Sequence, residues 1–186
     1  MSLRRGFKAE ANRISLSLRR DLGLAPHDPI DLFKLAERFK ARIVSLSEFV
    51  DECPEEVRQL TRIDKSAYSA GTIRLENGGP LIIYNDSHSD GRRNNSLAHE
   101  IAHLALGHEF TLPIDTTGCR ILDRDIEDEA NWLGPTILIP NEAAMHILRV
   151  GMDAMTACDA YGVSAAVLQM RINASGARIR MSRAYH

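Results

Sequence analysis

Cysteine is scarce in this chain and badly spaced for cross-linking. Cys53, Cys119 and Cys158 are three, widely separated thiols. An odd, scattered set excludes a disulfide scaffold and a CxxC metal knuckle, fits a reducing compartment such as the cytoplasm, and reads as three small buried hydrophobes. No excess of one charge exists either. Lysine and arginine total 23 against 25 acidic residues, for a net charge of −2 and a pI near 6.4, which excludes a chain built around nucleic acid. Long apolar runs are missing; Ile137-Leu138-Ile139 is typical of the longest, far short of a bilayer span. The opening Met1-Ser2-Leu3-Arg4-Arg5-Gly6 has no apolar signal core, which argues against export by that route. No repeat or low-complexity stretch is visible. What is there is ordinary: 186 residues, 44% hydrophobic and 26% charged, enough for one globular domain with a real core.

Periodicity then orders the elements. Phe7, Ala11, Ile14 and Leu18 fall at helical spacing and predict a helix over 6–21 that stops at Gly23. Asp28 and Pro29 predict the start of a second helix, with Leu32, Leu35, Ala36 and Phe39 as its buried stripe. Ala41 to Leu46 reads as a strand, and the acidic stretch Asp51 to Gln59 as a helix after Pro54. Ser66–Leu75 and Pro80–Asn85 read as two strands joined by the turn Glu76-Asn77-Gly78-Gly79. From Arg93 to about Asn173 the chain is mostly helical. Strands and helices are segregated, which predicts an α+β fold with a small antiparallel or mixed sheet of about three strands packed on a central helix.

That central helix carries His99-Glu100-Ile101-Ala102-His103, an HExxH pattern. Residues four apart on a helix differ by about 40° in direction, so both imidazoles point the same way and can share one Zn2+. Glu100 sits beside them, able to reach a water on the metal without ligating it. Asn94, Asn95 and Ser96 read as cap candidates and Gly107 as the terminator. A catalytic zinc ion needs a third protein ligand and one open position. The metzincin spacing is not met, because Leu106 and Glu109 stand where it needs Gly and His. His108 lies roughly 180° from His99 if the helix persists, so it reads as a helix-end histidine near the negative end of the dipole.

The third ligand is sought in the run Asp123-Arg124-Asp125-Ile126-Glu127-Asp128-Glu129. Asp123, Asp125 and Asp128 are accounted for as solvated carboxylates at a helix N-terminus. With Ile126, Ala130, Leu133 and Ile137 as the buried stripe, Glu127 lies roughly 60° from Ala130 and Glu129 roughly 100° away on the other side. Geometry therefore favours Glu127 and leaves Glu129 open. Asn131, four residues on, shares the face of Glu127 and can hydrogen-bond a ligand from outside.

Together these residues resemble the ImmA/IrrE family of zinc metallopeptidases. The likeness runs through the metal-binding stretch Arg92 to His103, through Glu127-Asp128-Glu129-Ala130-Asn131 to Ile137-Leu138-Ile139-Pro140, through Ala9 to Asp31 and through the strand Leu81–Asn85. It covers most of residues 5–173. The resemblance implies a gluzincin-like fold in a single domain, 1–186, with a metallopeptidase core over 5–140 and a helical part over 141–186. It implies His99, His103 and Glu127 as ligands of Zn2+ and Glu100 as catalytic acid and base. It also implies a protein substrate, typically a helix-turn-helix transcriptional repressor. Gly134-Pro135 departs from the family's usual small helix formers and predicts a kink or break there.

The chemistry expected is metal-assisted peptide hydrolysis, with water acidified to a pKa of about 7 and its proton taken by Glu100. Tyr161, His146 and Tyr84 are candidates to steady the oxyanion, and Leu81–Asn85, if at a sheet edge, would take the substrate as an added strand. Two other classes stand beside this one. Cys119 as a fourth ligand would close the site and make a zinc-binding regulatory or interaction module, of the kind associated with toxin–antitoxin pairs or mobile elements. Val163 to Asn173, with Arg171, Arg178, Arg180 and Arg183, resembles the second half of a helix-turn-helix, though a packed terminal helix with a solvated basic end explains it as well. Nucleic acid and membrane are not expected as partners.

Overall fold

The computed structural model of the protein describes residues 3–75, 78–108 and 124–184, with backbone alone for 183–184. Helix α1 (Phe7–Asp21) buries Phe7, Ala11 and Leu18, as its periodicity predicts. Helix α2 (Leu32–Arg38) starts later than expected. Its cap is Asp31, whose carboxylate accepts from the backbone N–H groups of Phe33 and Lys34, so Pro29 precedes the helix instead of opening it.

Strand β1 (Arg42–Ser45), a 3-10 turn (Leu46–Phe49) and the short helix α3 (Pro54–Arg58) lead to β2 (Ala70–Arg74) and β3 (Pro80–Tyr84). β2 and β3 pair antiparallel, while β1 pairs parallel with β3, giving the order β1-β3-β2. Of the predicted hairpin turn, Glu76 and Asn77 lie outside the described residues. The strand at Leu81–Asn85 would take a substrate only from a sheet edge; it is the middle strand, and β1 and β2 are the two edge strands among the described residues. The reason is compositional. Leu81-Ile82-Ile83 suits a strand covered by neighbours on both sides, whereas β2 carries Gly71, Thr72 and Arg74. Ile43, Ile82 and Thr72 pair across the sheet in one row. Ile82 and Thr72 are both buried, which puts a hydroxyl at the end of an otherwise apolar row.

Helix α4 (Asp90–Leu106) packs on that sheet and runs along α5 (Arg124–Leu138). α4 begins after Ser89, so Asn94, Asn95 and Ser96 are interior residues and not caps; the amide of Asn94 donates instead to the carbonyl of Gly162. α5 continues through Pro135 to Leu138 without the expected break. Three buried donors secure its far end: Ser15 Oγ to the Thr136 carbonyl, Arg19 Nη2 to Leu138, and Arg171 Nε to Ile139. Two guanidinium groups thus sit where the helix dipole is negative. Burial pushes both down to about 10.

The chain ends in α6 (Asn141–Arg149), α7 (Ala154–Tyr161), α8 (Ala165–Ser175) and α9 (Ala177–Ala184). α7 and α8 flank a short turn containing Gly162 at φ 59°, a helix-turn-helix arrangement. Arg171 of α8 is turned inward, 2% exposed, and the outer face of that helix presents Ala165, Ala166, Gln169 and Asn173. One apolar cluster runs from Phe7 through Ile82, Leu97, Ile101, Leu133 and Ile137 to Ile147 and Leu168. The whole is a mixed α+β structure, mostly helical, with one three-stranded sheet. Among the described residues no helix is long and apolar enough to cross a membrane. Contrary to expectation, Cys53 is exposed and Cys158 only half-buried; Cys119 lies outside the described residues.

Candidate metal centre

The α4–α5 contact is close because Gly134 has no side chain. A Cβ there would lie 3.0 Å from the backbone nitrogen of His99 and 3.1 Å from its Cα, tighter than side chains normally tolerate. With the backbones that near, the first turns of α5 deliver Glu127 to the histidine face of α4. His99 Nε2 lies 3.1 Å from His103 Nε2, 3.4 Å separates His99 Nε2 from Glu127 Oε2, and 3.6 Å separates His103 Nε2 from Glu127 Oε1. Two atoms each about 2.0–2.1 Å from a tetrahedral zinc ion are about 3.3 Å apart. The three edges of this triangle match that span, and two imidazole nitrogens with one carboxylate oxygen form a donor set suited to zinc. These three residues can hold a metal ion.

The triangle opens on a cleft of about 320 Å³ lined by Ser69, Ala70, Asn95, Ser96, His99, Glu100, Glu127 and Asn131. Glu100 is buried, 6% exposed, yet its carboxylate reaches this cleft. Thr72 Oγ1 donates to Glu100 Oε2 at 2.7 Å, fixing one oxygen and leaving the other for a proton. Thr72 was not singled out from the sequence, because nothing local ties a β2 residue to a helix 28 positions later. Asn131 lines the cleft beside Glu127, as their shared helix face predicts. Asn95, one turn before His99, also lines it, and its Oδ1 is buried without a partner.

The other expected residues fall elsewhere. Glu129 faces away from the histidine pair: its Oε1 accepts from Arg4 Nε at 2.7 Å, and its Oε2 lies 3.8 Å from His108 Nε2. Tyr161 donates to the His27 carbonyl, His146 stacks on the ring of His27, and Tyr84 meets Phe33 edge-on. None of the three candidate oxyanion donors lines the cleft; each is engaged in packing or hydrogen bonding elsewhere. All three were chosen by residue type alone, without knowing which helix faces the site. Asp123, Glu109 and Cys119 lie outside the described residues.

Residues 58–173 match the model of a peptidase family described as the IrrE N-terminal-like domain. That span includes β2, α4, α5 and every residue of the cleft. No curated protein matches the chain.

Proposed function

The chain belongs to the IrrE N-terminal-like peptidase family, and we propose that it is a zinc-dependent endopeptidase of gluzincin-like fold. In this assignment His99, His103 and Glu127 hold the metal, and Glu100 is the catalytic acid and base. The observation that carries it is the triangle of 3.1, 3.4 and 3.6 Å between the three side chains, open on one side to a polar cleft. A divalent ion at such a triad supplies Lewis acidity, lowering the pKa of water to about 7 and polarising a peptide carbonyl.

The chain's own groups do the rest. Glu100, anchored through Thr72, takes the proton of the attacking water on its free oxygen and returns it to the leaving nitrogen. Ser69 and Ala70, at the start of β2, reach the cleft rim, and β2 has an uncovered edge among the described residues. A substrate segment laid along that edge gains main-chain hydrogen bonds in an extended conformation, with Asn95 and Asn131 facing it across the cleft. This moves the substrate strand from β3, where the sequence suggested it, to β2. The substrate is a protein, and the family resemblance favours a helix-turn-helix repressor.

Cleavage of candidate repressors by the zinc-loaded protein tests the assignment. Glu100→Gln is expected to bind zinc like the parent and to lose at least about a hundredfold in cleavage rate. Undiminished cleavage by Glu100→Gln removes the mechanism.

A further inference from the structure

The end of α4 places a second histidine on the first. Gly107 follows the last helical residue with φ 68°, and its N–H bonds the Leu104 carbonyl while the N–H of His108 bonds the His103 carbonyl. This is the Schellman closure, which brings the residue after the glycine against the residue five before it. That contact is commonly apolar; here it joins two imidazoles, with His103 Nδ1 2.9 Å from His108 Nδ1. The expectation that His108 lies on the opposite face held only for a helix that continues, and the left-handed Gly107 reverses it. His108 in turn presents Nε2 to Glu129 Oε2 at 3.8 Å. The other oxygen of Glu129 is fixed by Arg4 Nε at 2.7 Å, and the remaining guanidinium nitrogens of Arg4 bind both oxygens of Glu10 at 2.7 Å.

We propose that His108 and Glu129 are positioning residues that orient the imidazole of His103 for a divalent ion, tying the metal centre to the first turn of α1 through Arg4 and Glu10. This rests on the metal-centre assignment above. The hydrogen placement follows from the geometry. His103 turns Nε2 to His99 and Glu127, so a metal there leaves the ring's hydrogen on Nδ1. His108 Nδ1 must then accept that hydrogen, which puts its own on Nε2, facing the Glu129 carboxylate. In that row each imidazole directs one hydrogen onward, from His103 to His108 and from His108 toward Glu129. The row also explains why Glu129, two residues from Glu127, is acidic without reaching the histidine pair.

The test measures zinc affinity by chelator competition at one fixed pH, together with the visible spectrum of the cobalt-substituted protein and the melting temperature. His108→Leu, which keeps bulk, is expected to weaken zinc binding by roughly 10–100-fold and to alter the cobalt spectrum. Glu129→Ala is expected to weaken binding by a smaller factor. His108→Gln, whose amide can accept from Nδ1 and donate to Glu129, is expected to restore most of the affinity. Unchanged zinc affinity and cobalt spectrum in His108→Leu, even with a lowered melting temperature, would mean that His108 only packs, and overturns the proposal. His99→Ala separates the two levels. If it abolishes zinc binding while His108→Leu does not disturb it, the row fails and the metal centre stands; if His99→Ala binds zinc as the parent does, both fail.

Discussion

The two ends of α5 use polar groups in opposite ways. At its start, Glu127 and Asn131 line an open cleft with the His99 imidazole and the Glu100 side chain, and Glu127 also lies near His103. At its finish, Leu133 to Leu138 are buried, and Ser15, Arg19 and Arg171 donate from inside the core to the carbonyls of Thr136, Leu138 and Ile139. Buried guanidinium groups with backbone partners hold a helix end in one place. His99, Glu127 and Asn131 are only half-buried or exposed and among the described residues have no backbone partners of that kind; with the buried His103, the first two form a group that could hold a metal ion. The far end is the anchor and the near end is the instrument, with Gly134 between them setting the distance to α4.

The sharpest way to break that contrast is to exchange the consequences. Arg19→Ala strands the Leu138 carbonyl in the core and leaves a cavity, an expected loss of about 3 kcal/mol. Thermal unfolding should show it as a drop of roughly 10 °C. Glu127→Ala, at the other end, should leave the melting temperature of the metal-free protein within about 2 °C of the parent. It should also abolish the stabilisation by added zinc, which at a hundredfold excess over Kd is worth about 2.7 kcal/mol in the parent. A fall for Glu127→Ala as large as that for Arg19→Ala would erase the distinction.

Gly134→Ala probes the link between the two ends. Its methyl must displace the backbone of α4 at His99, at an expected cost of about 1–3 kcal/mol. Because the displacement opens the α4–α5 contact, zinc affinity should fall with stability, and calorimetric titration beside thermal melts reads both. Thr72→Val, by contrast, removes the hydrogen bond to a charged group without touching a ligand. Zinc affinity should stay the same while kcat falls roughly tenfold or more, as the loss of a bond worth about 1.5–3 kcal/mol implies.

The smallest effect concerns a titration far from the cleft. Burial, His27 and Arg149 together hold the His146 imidazolium below its ordinary range. A histidine with a depressed folded value binds fewer protons than its unfolded counterpart, so stability is present above the unfolded pKa of about 6.5 and is lost as pH falls below it. Melting temperatures measured between pH 7.5 and 5.5 should decline more steeply for the parent than for His146→Gln.

How much of this was legible in the sequence depends on the range of the interaction. The paired imidazoles of α4 and the shared face of Glu127 and Asn131 follow from 3.6-residue periodicity; the structure brings His99, Glu127 and Asn131 to one cleft and sets His103 behind them, against His99 and Glu127. The α+β class and the β2–β3 hairpin follow from segregation and alternation. What failed was long-range or conformational. The pairing of β1 with β3, which puts β3 in the middle and leaves β1 and β2 as edges, is fixed by burial and not by local pattern. Pro135 was read as a breaker because the supports that hold α5 through it come from α1 and α8. Arginine is by default a surface residue, so nothing marked Arg19 and Arg171 as core. His108 was read as a helix-end histidine after the terminator Gly107, and it is one; its contact with His103 depends on the left-handed turn at Gly107, which helical spacing does not describe.

Crystals grown with zinc and examined by anomalous diffraction at the zinc edge test the central assignment most directly. One ion is expected about 2.0–2.2 Å from His99 Nε2, His103 Nε2 and a Glu127 oxygen, with its fourth side toward Glu100 and the cleft. An ion bound through Glu129 in place of Glu127, or no ion between the two imidazoles, would contradict it.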